Sequence, residues 1–376
     1  MEYVMMSRRM FLTNSAAALA MVGVASALPS CASVVRADLD ALAPEHALRD
    51  RIGGVGLEML ELASLAPSSH NVQPWHVRCL EARRWELSLD PRRFLPVTDP
   101  TRREMWLSVG AFVENLHVAA ANRGMRMHVQ ADGGMLDGVL RIEFAEGGAP
   151  SEFEDALLRK RRTVRKNLLT RPLAPHHIDQ LGKDCGDVRY HAPDGEESRI
   201  IAQTVRESTR RQNERKDARE ELSEWIHWSN KDARLRRDGL TPATMDITGV
   251  PGMIVRMFYS KENVLEDGFA EKGNAIADEQ SMLHGGWMTI SGGSDSTVAD
   301  CVDAGRRFER LCLRACALGI AVHPMSQPLQ EAPWSSTLRD TLRCGHIHFL
   351  LRVGYLEHYP EAVSLRRPVS DFAAAV

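Results

Sequence analysis

A mixed fold of alternating helices and strands, arranged in two related halves, is what the sequence predicts. Two helical stretches, Val109–Met125 and Ala304–Ile320, align without gaps and share five identical residues. Each is followed by a strand-like run. The composition, 44% hydrophobic and 26% charged, supplies apolar material for one large core or two modest ones. The net charge of −3 gives no global reason to expect nucleic acid as a partner.

The N-terminus reads "MSRRMFLTNSAAALAMVGVASALPSCASVVRADL". Arg8 and Arg9 precede Met10, Phe11 and Leu12, and an uncharged stretch runs from Ser15 to Ala32. It is short for a membrane span and has the flanks of a signal peptide. The Ser-Arg-Arg-x-Phe-Leu pattern resembles a bacterial twin-arginine export signal. That resemblance implies passage through the twin-arginine machinery as a folded, cofactor-loaded protein, and a periplasmic location. Residues 1–37 are assigned to this signal, with cleavage after Ala27 or Ala37. "LPSC", ending at Cys31, looks like an imperfect lipoprotein box, which offers a membrane anchor as the alternative. Pro29 departs from the usual pattern.

The first half, 43–150, opens on "LAPSSHNVQPWHV", Leu65 to Val77. Its hydroxyls, imidazole and amides are too specific for a spare loop. Ser68, Ser69 and Asn71 offer short donors and acceptors to a ligand, and Gln73 can do the same or fix the loop. Pro74 stiffens the exit and Trp75 packs beneath as core. His70 is expected to make a loop hydrogen bond. In the next helix Val109, Phe112, Val113, Leu116 and Ala120 recur at helical spacing and define a buried stripe. Without gaps, Gly110 meets Gly305, Glu114 meets Glu309, Leu116 meets Leu311, Ala120 meets Ala315 and Gly124 meets Gly319. The terminal glycines suit helix C-caps, and an internal duplication follows from the window. The strand-like runs are Gly138–Phe144 and His348–Tyr355. "EGGAP", Glu146 to Pro150, is the linker.

The second half, 151–376, opens on "DALLRKRRTVRKNL". On a helical turn Arg161 and Arg165 would share a face with room for one anion. Guanidinium forks bind phosphate oxygens in pairs, and the Thr163 hydroxyl can add a hydrogen bond. The chain has no Walker loop and no G-x-G-x-x-G. A charged run, Thr204 to Trp228, reads as a solvated helix with one apolar edge. Asp238–Met253 and then Glu266–Ile276 are rich in turn residues and suit a lid. Cys344, His346 and His348 alternate, as metal ligands on one strand face would, but so does any half-buried strand, and no metal is expected. Seven cysteines without a C-x-x-C argue against zinc ribbons. Cys312 and Cys316 suit small core positions on a helix.

"RRTVRKNL" and "APSSHNVQPWHV" together resemble the basic opening and the P-S-x-x-N-x-Q-P-W loop of the nitroreductase-like flavoproteins. "SLRRPVSD", Ser364 to Asp371, resembles their terminal basic segment. The resemblance implies an α+β sandwich, a mainly antiparallel sheet flanked by helices, here in two fused copies that form a single-chain pseudo-dimer. It implies FMN as cofactor. Its site would take Arg161, Arg162, Thr163, Arg165, Arg366 and Arg367 at the phosphate. Pro67, Ser68, Ser69, Asn71 and Gln73 would lie at the ring. Ordinary members carry the basic motif before the loop in one half. Here the order is reversed across the halves, which looks like the duplicated Acg-like branch and implies one complete flavin site. "HPMSQPLQ", containing Gln327, also resembles that branch. The implied activity is FMN-dependent oxidoreduction between a small-molecule electron donor and an acceptor such as a quinone or nitro compound. No side chain is required as an acid or base. The alternative is a lidded flavin store or sensor without turnover.

Overall fold

The computed structural model describes residues 32–39 and 46–376. Arg8, Arg9, the apolar stretch up to Cys31 and the cleavage position after Ala27 lie outside them. The first half begins with α1 (His46–Ala63), then the hairpin β1 (Trp75–Glu81) and β2 (Arg84–Leu89). Along β1, Trp75, Val77 and Cys79 are buried while Arg78 is exposed, the period-2 pattern of a strand with one face on a core. Helix α2 (Arg103–Ala121) and the hairpin β3 (Met125–Asp132) and β4 (Val139–Glu146) complete it. The sheet order is β3-β4-β2-β1, all antiparallel.

The second half begins with α3 (Asp155–Lys160), α4 (Pro175–Gly182) and β5 (Asp187–His191). Six helices follow: α5 (Glu196–Glu214), α6 (Lys216–Glu224), α7 (Asn230–Arg236), α8 (Gly249–Phe258), α9 (Lys261–Leu265) and α10 (Asp267–Gln280). Then come β6 (Gly286–Ser291), α11 (Val298–Ala317), β7 (Ile320–Pro324), α12 (Gln327–Gln330), α13 (Trp334–Leu342) and β8 (Ile347–Tyr355). Its sheet runs β7-β8-β6-β5, again antiparallel. This is the strand order of the first half repeated. One feature breaks the match. Ala82 and Arg83 join β1 to β2, whereas the six helices separate β5 from β6. A final strand, β9 (Ala373–Ala375), crosses over and pairs in parallel with β1. The fold is therefore α+β with two antiparallel four-strand units, and the chain end of one completes the sheet of the other.

The matched helices α2 and α11 pack on each other at the matched glycines. A Cβ on Gly110 would collide with Val302 O and the Gly305 Cα; one on Gly305 would collide with Leu107 O and the Gly110 Cα. Leu107 and Val302 are themselves partners in the ungapped alignment, so the contact is two-fold in character. The matched glutamates extend it. Glu114 pairs with Arg306 at 2.9 Å and Arg310 at 2.8 Å. Glu309 pairs with Arg161 at 3.0 Å. Asn115, the alignment partner of Arg310, donates Nδ2 to Glu309 at 3.1 Å and accepts from Ala66 N at 3.0 Å.

Several expectations change here. Helix α2 is buried on nearly every face and not along one stripe, because its own sheet and α11 cover opposite sides. The runs beginning at Met125 and Ile320 form strands directly after Gly124 and Gly319, whose φ values of 73° and 67° end the helices. The charged run splits into α5 and α6 at Arg215. Most of Glu266–Ile276 is helical, within α10. Cys344 and His346 precede β8 and do not share its face, and no group of three metal-ligating side chains occurs among the described residues. Of the residues assigned to the signal, Val34 is 2% exposed and packs with Ala233 and Leu365.

The glycine crossing is testable. Gly305→Ala is expected to cost about 1–3 kcal/mol, because backbone lies where the methyl would go. Its urea midpoint should fall at unchanged slope. Gly268→Ala, whose Cβ would meet nothing, should show no such loss.

Candidate functional site

The loop from Pro67 to Gln73 is bent by three non-glycine residues at positive φ: His70 (47°), Asn71 (55°) and Gln73 (55°). Such geometry costs on the order of 1–3 kcal/mol per residue and persists only where neighbours over-determine it. They do so here. Gln73 N donates to Ser68 Oγ at 3.0 Å. Asn71 Nδ2 donates to Gly239 O at 3.0 Å and Leu365 O at 3.3 Å. Gln73 Nε2 donates to Arg237 O at 3.0 Å, and Gln73 Oε1 accepts from Arg367 N at 2.9 Å. Ser69 Oγ donates to Glu104 Oε2 at 2.6 Å. Trp75 is fully buried, its ring 5.0 Å from that of Phe112.

Arg366 anchors the loop from below. Its guanidinium donates to Ser64 O, Leu65 O and Ala66 O, the carbonyls just past α1, and to Asn71 Oδ1 at 2.9 Å. A cation at a helix C-terminus is favoured by the helix dipole. Yet no carboxylate pairs with it among the described residues. Burial, with Arg36 and Arg161 nearby, pulls Arg366 well below the usual arginine range, against the pull of Glu309. Arg161 donates to Leu65 O at 2.8 Å besides its pair with Glu309. Arg162 pairs with Asp246 at 2.7 Å. Arg165 donates to Thr244 O at 2.8 Å, and burial lowers its pKa against the pull of Asp246.

These groups surround two adjoining cavities. The smaller, about 100 Å³, is lined by Pro67, Ser68, His70, Asn71, Arg161, Arg162, Thr163, Arg165, Leu240, Thr244, Ser364 and Arg366. Four arginines and no carboxylate line it. The larger, about 330 Å³, shares Pro67, Ser68, His70, Thr163, Arg165 and Leu240 with it. It continues past Ser69, Glu104 and Ser108 to Gln212, His323, Gln327 and Gln330. That volume falls in the range of small-molecule sites, roughly 300–1,000 Å³. His70 Nδ1, His323 Nδ1 and Gln327 Oε1 are buried there without a hydrogen-bond partner. His323 is 8% exposed, and burial with Arg352 and Arg165 beside it keeps its ring neutral at pH 7. The arrangement can hold an elongated ligand with an anionic end and a larger, partly apolar body.

Ten of the twelve residues expected from the sequence line these cavities: Pro67, Ser68, Ser69, Asn71, Arg161, Arg162, Thr163, Arg165, Gln327 and Arg366. Gln73 and Arg367 do not. They lie behind the loop, where Arg367 donates to Gln73 O and Trp75 O and the Gln73 amide is taken up by backbone. Asn71 likewise has both ends of its amide engaged by protein. His70 makes no hydrogen bond through Nδ1, contrary to expectation. Arg161 and Arg165 do not share a helical face: α3 stops at Lys160, and Arg161 (φ −56°, ψ 134°) turns the chain outward so that its guanidinium reaches Glu309. Sequence reasoning missed Arg103, Glu104, Gln212, Asn213, His323 and His348 as lining residues. Glu104 reads locally as an acid in a helix's first turn, and Gln212 and Asn213 as members of a polar run. Only the packing brings them to the cavity.

A pH signature follows from Glu309, which burial pushes up to about 7 against the pull of Arg161. A carboxyl raised in the fold contributes stability that is full below its unfolded value and is lost as pH rises through the folded one. The stability of the native chain relative to Glu309→Gln should therefore decline between about pH 4.5 and 7. Urea melts of both proteins across that range measure it; a constant difference would contradict the raised Glu309 carboxyl.

No protein-family model matches the chain. A protein of Mycobacterium tuberculosis (strain H37Rv), Rv3131, named provisionally as an NAD(P)H nitroreductase, is 26% identical over 317 residues, covering 79% of this chain and 84% of that protein. PigM of a Serratia species, named in the same way, is 39% identical over 80 residues. That match spans 21% of this chain and only 22% of PigM. Among solved structures, a nitroreductase-like family protein from Bacillus cereus aligns over 59% of this chain and 96% of its own at 12% identity, with a TM-score of 0.34. The FMN-dependent nitroreductase NfnB from Mycobacterium smegmatis, solved with NADPH, aligns over 58% of this chain and 95% of its own at 13% identity, with a TM-score of 0.32. Both structural likenesses are loose.

Proposed function

From a chain that is nitroreductase-like in sequence, we propose an FMN-dependent oxidoreductase that moves electrons from NAD(P)H or another small donor to a quinone or nitro acceptor. The observation that carries this reading is the pair of adjoining cavities, one walled by four arginines without a carboxylate. Arg161, Arg162, Arg165 and Arg366 suit the phosphate of FMN, with the Thr163 hydroxyl able to add a hydrogen bond. The orphaned atoms of His70, His323 and Gln327 suit the polar edge of a flavin, as unpaired buried groups otherwise carry a desolvation penalty. Bound FMN supplies two-electron chemistry, taking a hydride equivalent from one small molecule and yielding it to another. The protein's part is to bind, orient and exclude water. Arg165, a half-buried cation common to both cavities, favours negative charge on whatever lies between them.

The repeated strand order and the glycine crossing support an internal duplication and a single-chain pseudo-dimer of the Acg-like kind. The loop and the basic segment each occur once, which supports one FMN per chain. The six-helix insert contributes Gln212, Asn213, Leu222 and Leu240 to the cavity walls. For export, the packing of Val34 and the Arg36 bond to Ser364 O at 3.1 Å favour cleavage after Ala27 over Ala37, since the later cut would remove these contacts.

Titrating cofactor-free protein with FMN should reach one per chain. Arg165→Ala is expected to weaken binding by roughly 1.5–3 kcal/mol, the value of a hydrogen bond to a charged group. Recovery of FAD, or no uptake of FMN, would reject the reading. Reduced protein should reoxidise with quinones or nitroaromatics; binding without reoxidation would leave a store or sensor. Replacing Arg8 and Arg9 by lysine should strand the precursor in the cytoplasm, and normal fractionation to the periplasm would reject the twin-arginine route.

A further inference from the structure

Helix α8 of the insert is apolar on both sides. Its sequence, GVPGMIVRMF, holds one charged residue, Arg256. Val255, and Tyr259 just past the helix end, turn inward and pack on the buried cluster of Ile226, Trp228 and Val264. Leu222 and Leu240 of the cavity wall pack on that same cluster. One side of the helix is therefore fixed to the fold. Val250, Ile254, Met257 and Phe258 are on the other side and are 43–68% exposed. At about 100° per residue these four fall within an arc of about 100°. They are four of the eleven exposed large apolar side chains among the described residues, gathered on one short helix. A helix on a globular surface normally turns polar and charged side chains outward. A contiguous apolar face turned to solvent marks a contact surface.

The N-terminal segment enters the fold beside this face. Ala32 O accepts from Asn230 Nδ2 of α7 at 2.8 Å, and Ser33 Oγ accepts from Arg256 Nη1 of α8 itself at 2.6 Å. Val34 packs with Ala233 of α7. The sequence that leads into Ala32 is the uncharged stretch from Ser15, with the flanks of an export signal, and it contains Cys31 of the lipoprotein-like box. Cleavage after Ala27 leaves residues 28–31 at this point, and a lipid on Cys31 would be attached there. In either case the part of the sequence suited to a bilayer joins the fold at α8.

We propose that the outward face of α8 seats on a phospholipid bilayer. Ten residues at about 1.5 Å each make about 15 Å, roughly half the hydrocarbon thickness, so the helix rests in the interface and does not cross it. No described helix is long and apolar enough to cross a membrane. The contact is apolar: α8 has no carboxylate, its one cation is turned to Ser33, and burial of Ile254, Met257 and Phe258 at the acyl boundary drives it. A single lipid chain holds a protein on a membrane only marginally, whereas two adjacent contacts hold it stably and set its orientation. A second copy of this chain would also cover the face, but the entry of the N-terminal segment beside it favours lipid. The inference does not depend on the oxidoreductase reading.

Two tryptophan probes in the full chain test it: Phe258→Trp, and Leu136→Trp on the exposed turn between β3 and β4 of the first half. The emission of the unsubstituted chain is subtracted. With phosphatidylcholine vesicles the added Phe258→Trp emission should move to shorter wavelength, and brominated acyl chains should quench most of it. Leu136→Trp should stay unshifted and unquenched. Ile254→Asp combined with Phe258→Trp should free the probe from the quencher, because a carboxylate on the arc opposes burial in lipid. No quenching of Phe258→Trp would overturn the proposal. Equal quenching at both positions would mean attachment through the N-terminal segment alone, and would overturn it too. So would Phe258→Trp emission at short wavelength that vesicles leave unchanged. In that case the N-terminal segment covers the face, or a second copy does if the shift grows with protein concentration. Met257→Trp, on the same arc, repeats the measurement should Phe258→Trp not fold.

Discussion

The close approach of α2 and α11 is the constraint on which the rest of this structure depends. Two glycines with no room for a methyl let the helix backbones touch at Gly110 and Gly305. Everything that makes the candidate site composite follows from that contact. The loop before β1 belongs to one half, and the basic segment after α3 belongs to the other. They meet because their helices cannot stand further apart without losing the packing that buries both. Asn115 of α2 and Glu309 of α11 then transmit the register to the site: one accepts from Ala66 N and the other holds Arg161.

The electrostatics of the site are unusual in their imbalance. Buried arginines are normally matched by carboxylates, because an uncompensated charge in a low-dielectric interior is costly. Here Glu309 serves Arg161 and Asp246 serves Arg162, but Arg366 is held only by carbonyls and an amide. The surplus positive charge is directed at one small cavity. The strained loop shows a similar pattern: three residues at positive φ are tolerated because Asn71, Gln73 and Arg366 tie them to distant backbone. An anionic ligand would compensate the charge, and local strain of this sort is common where backbone is shaped around a ligand.

The halves are alike in topology and unlike in use. Both have the same antiparallel strand order, yet the second carries six helices where the first has a two-residue turn. That insert supplies part of the cavity wall. The matched glutamates have diverged too. Glu309 holds Arg161 of the candidate site, while Glu114 is bound to Arg306 and Arg310, which lower its pKa despite its burial.

The sequence by itself determined the two halves, the matched helices, their terminal glycines and the loop and basic segment that meet at the cavities. These are legible because they depend on local signals: periodicity, helix caps and short motifs whose chemistry survives without neighbours. Tertiary structure alone decided which of those residues face a ligand. Gln73 and Arg367 belong to the same motifs as Ser68 and Arg366, yet their polar atoms are engaged by each other's segments behind the loop. Glu104, Gln212 and Asn213 carry no motif, and they become cavity residues only because α2 and the insert converge from distant parts of the chain. The reason is physical: a hydrogen-bonding group is committed by whichever partner the fold brings within about 3 Å, and sequence spacing does not fix that distance across a long-range contact.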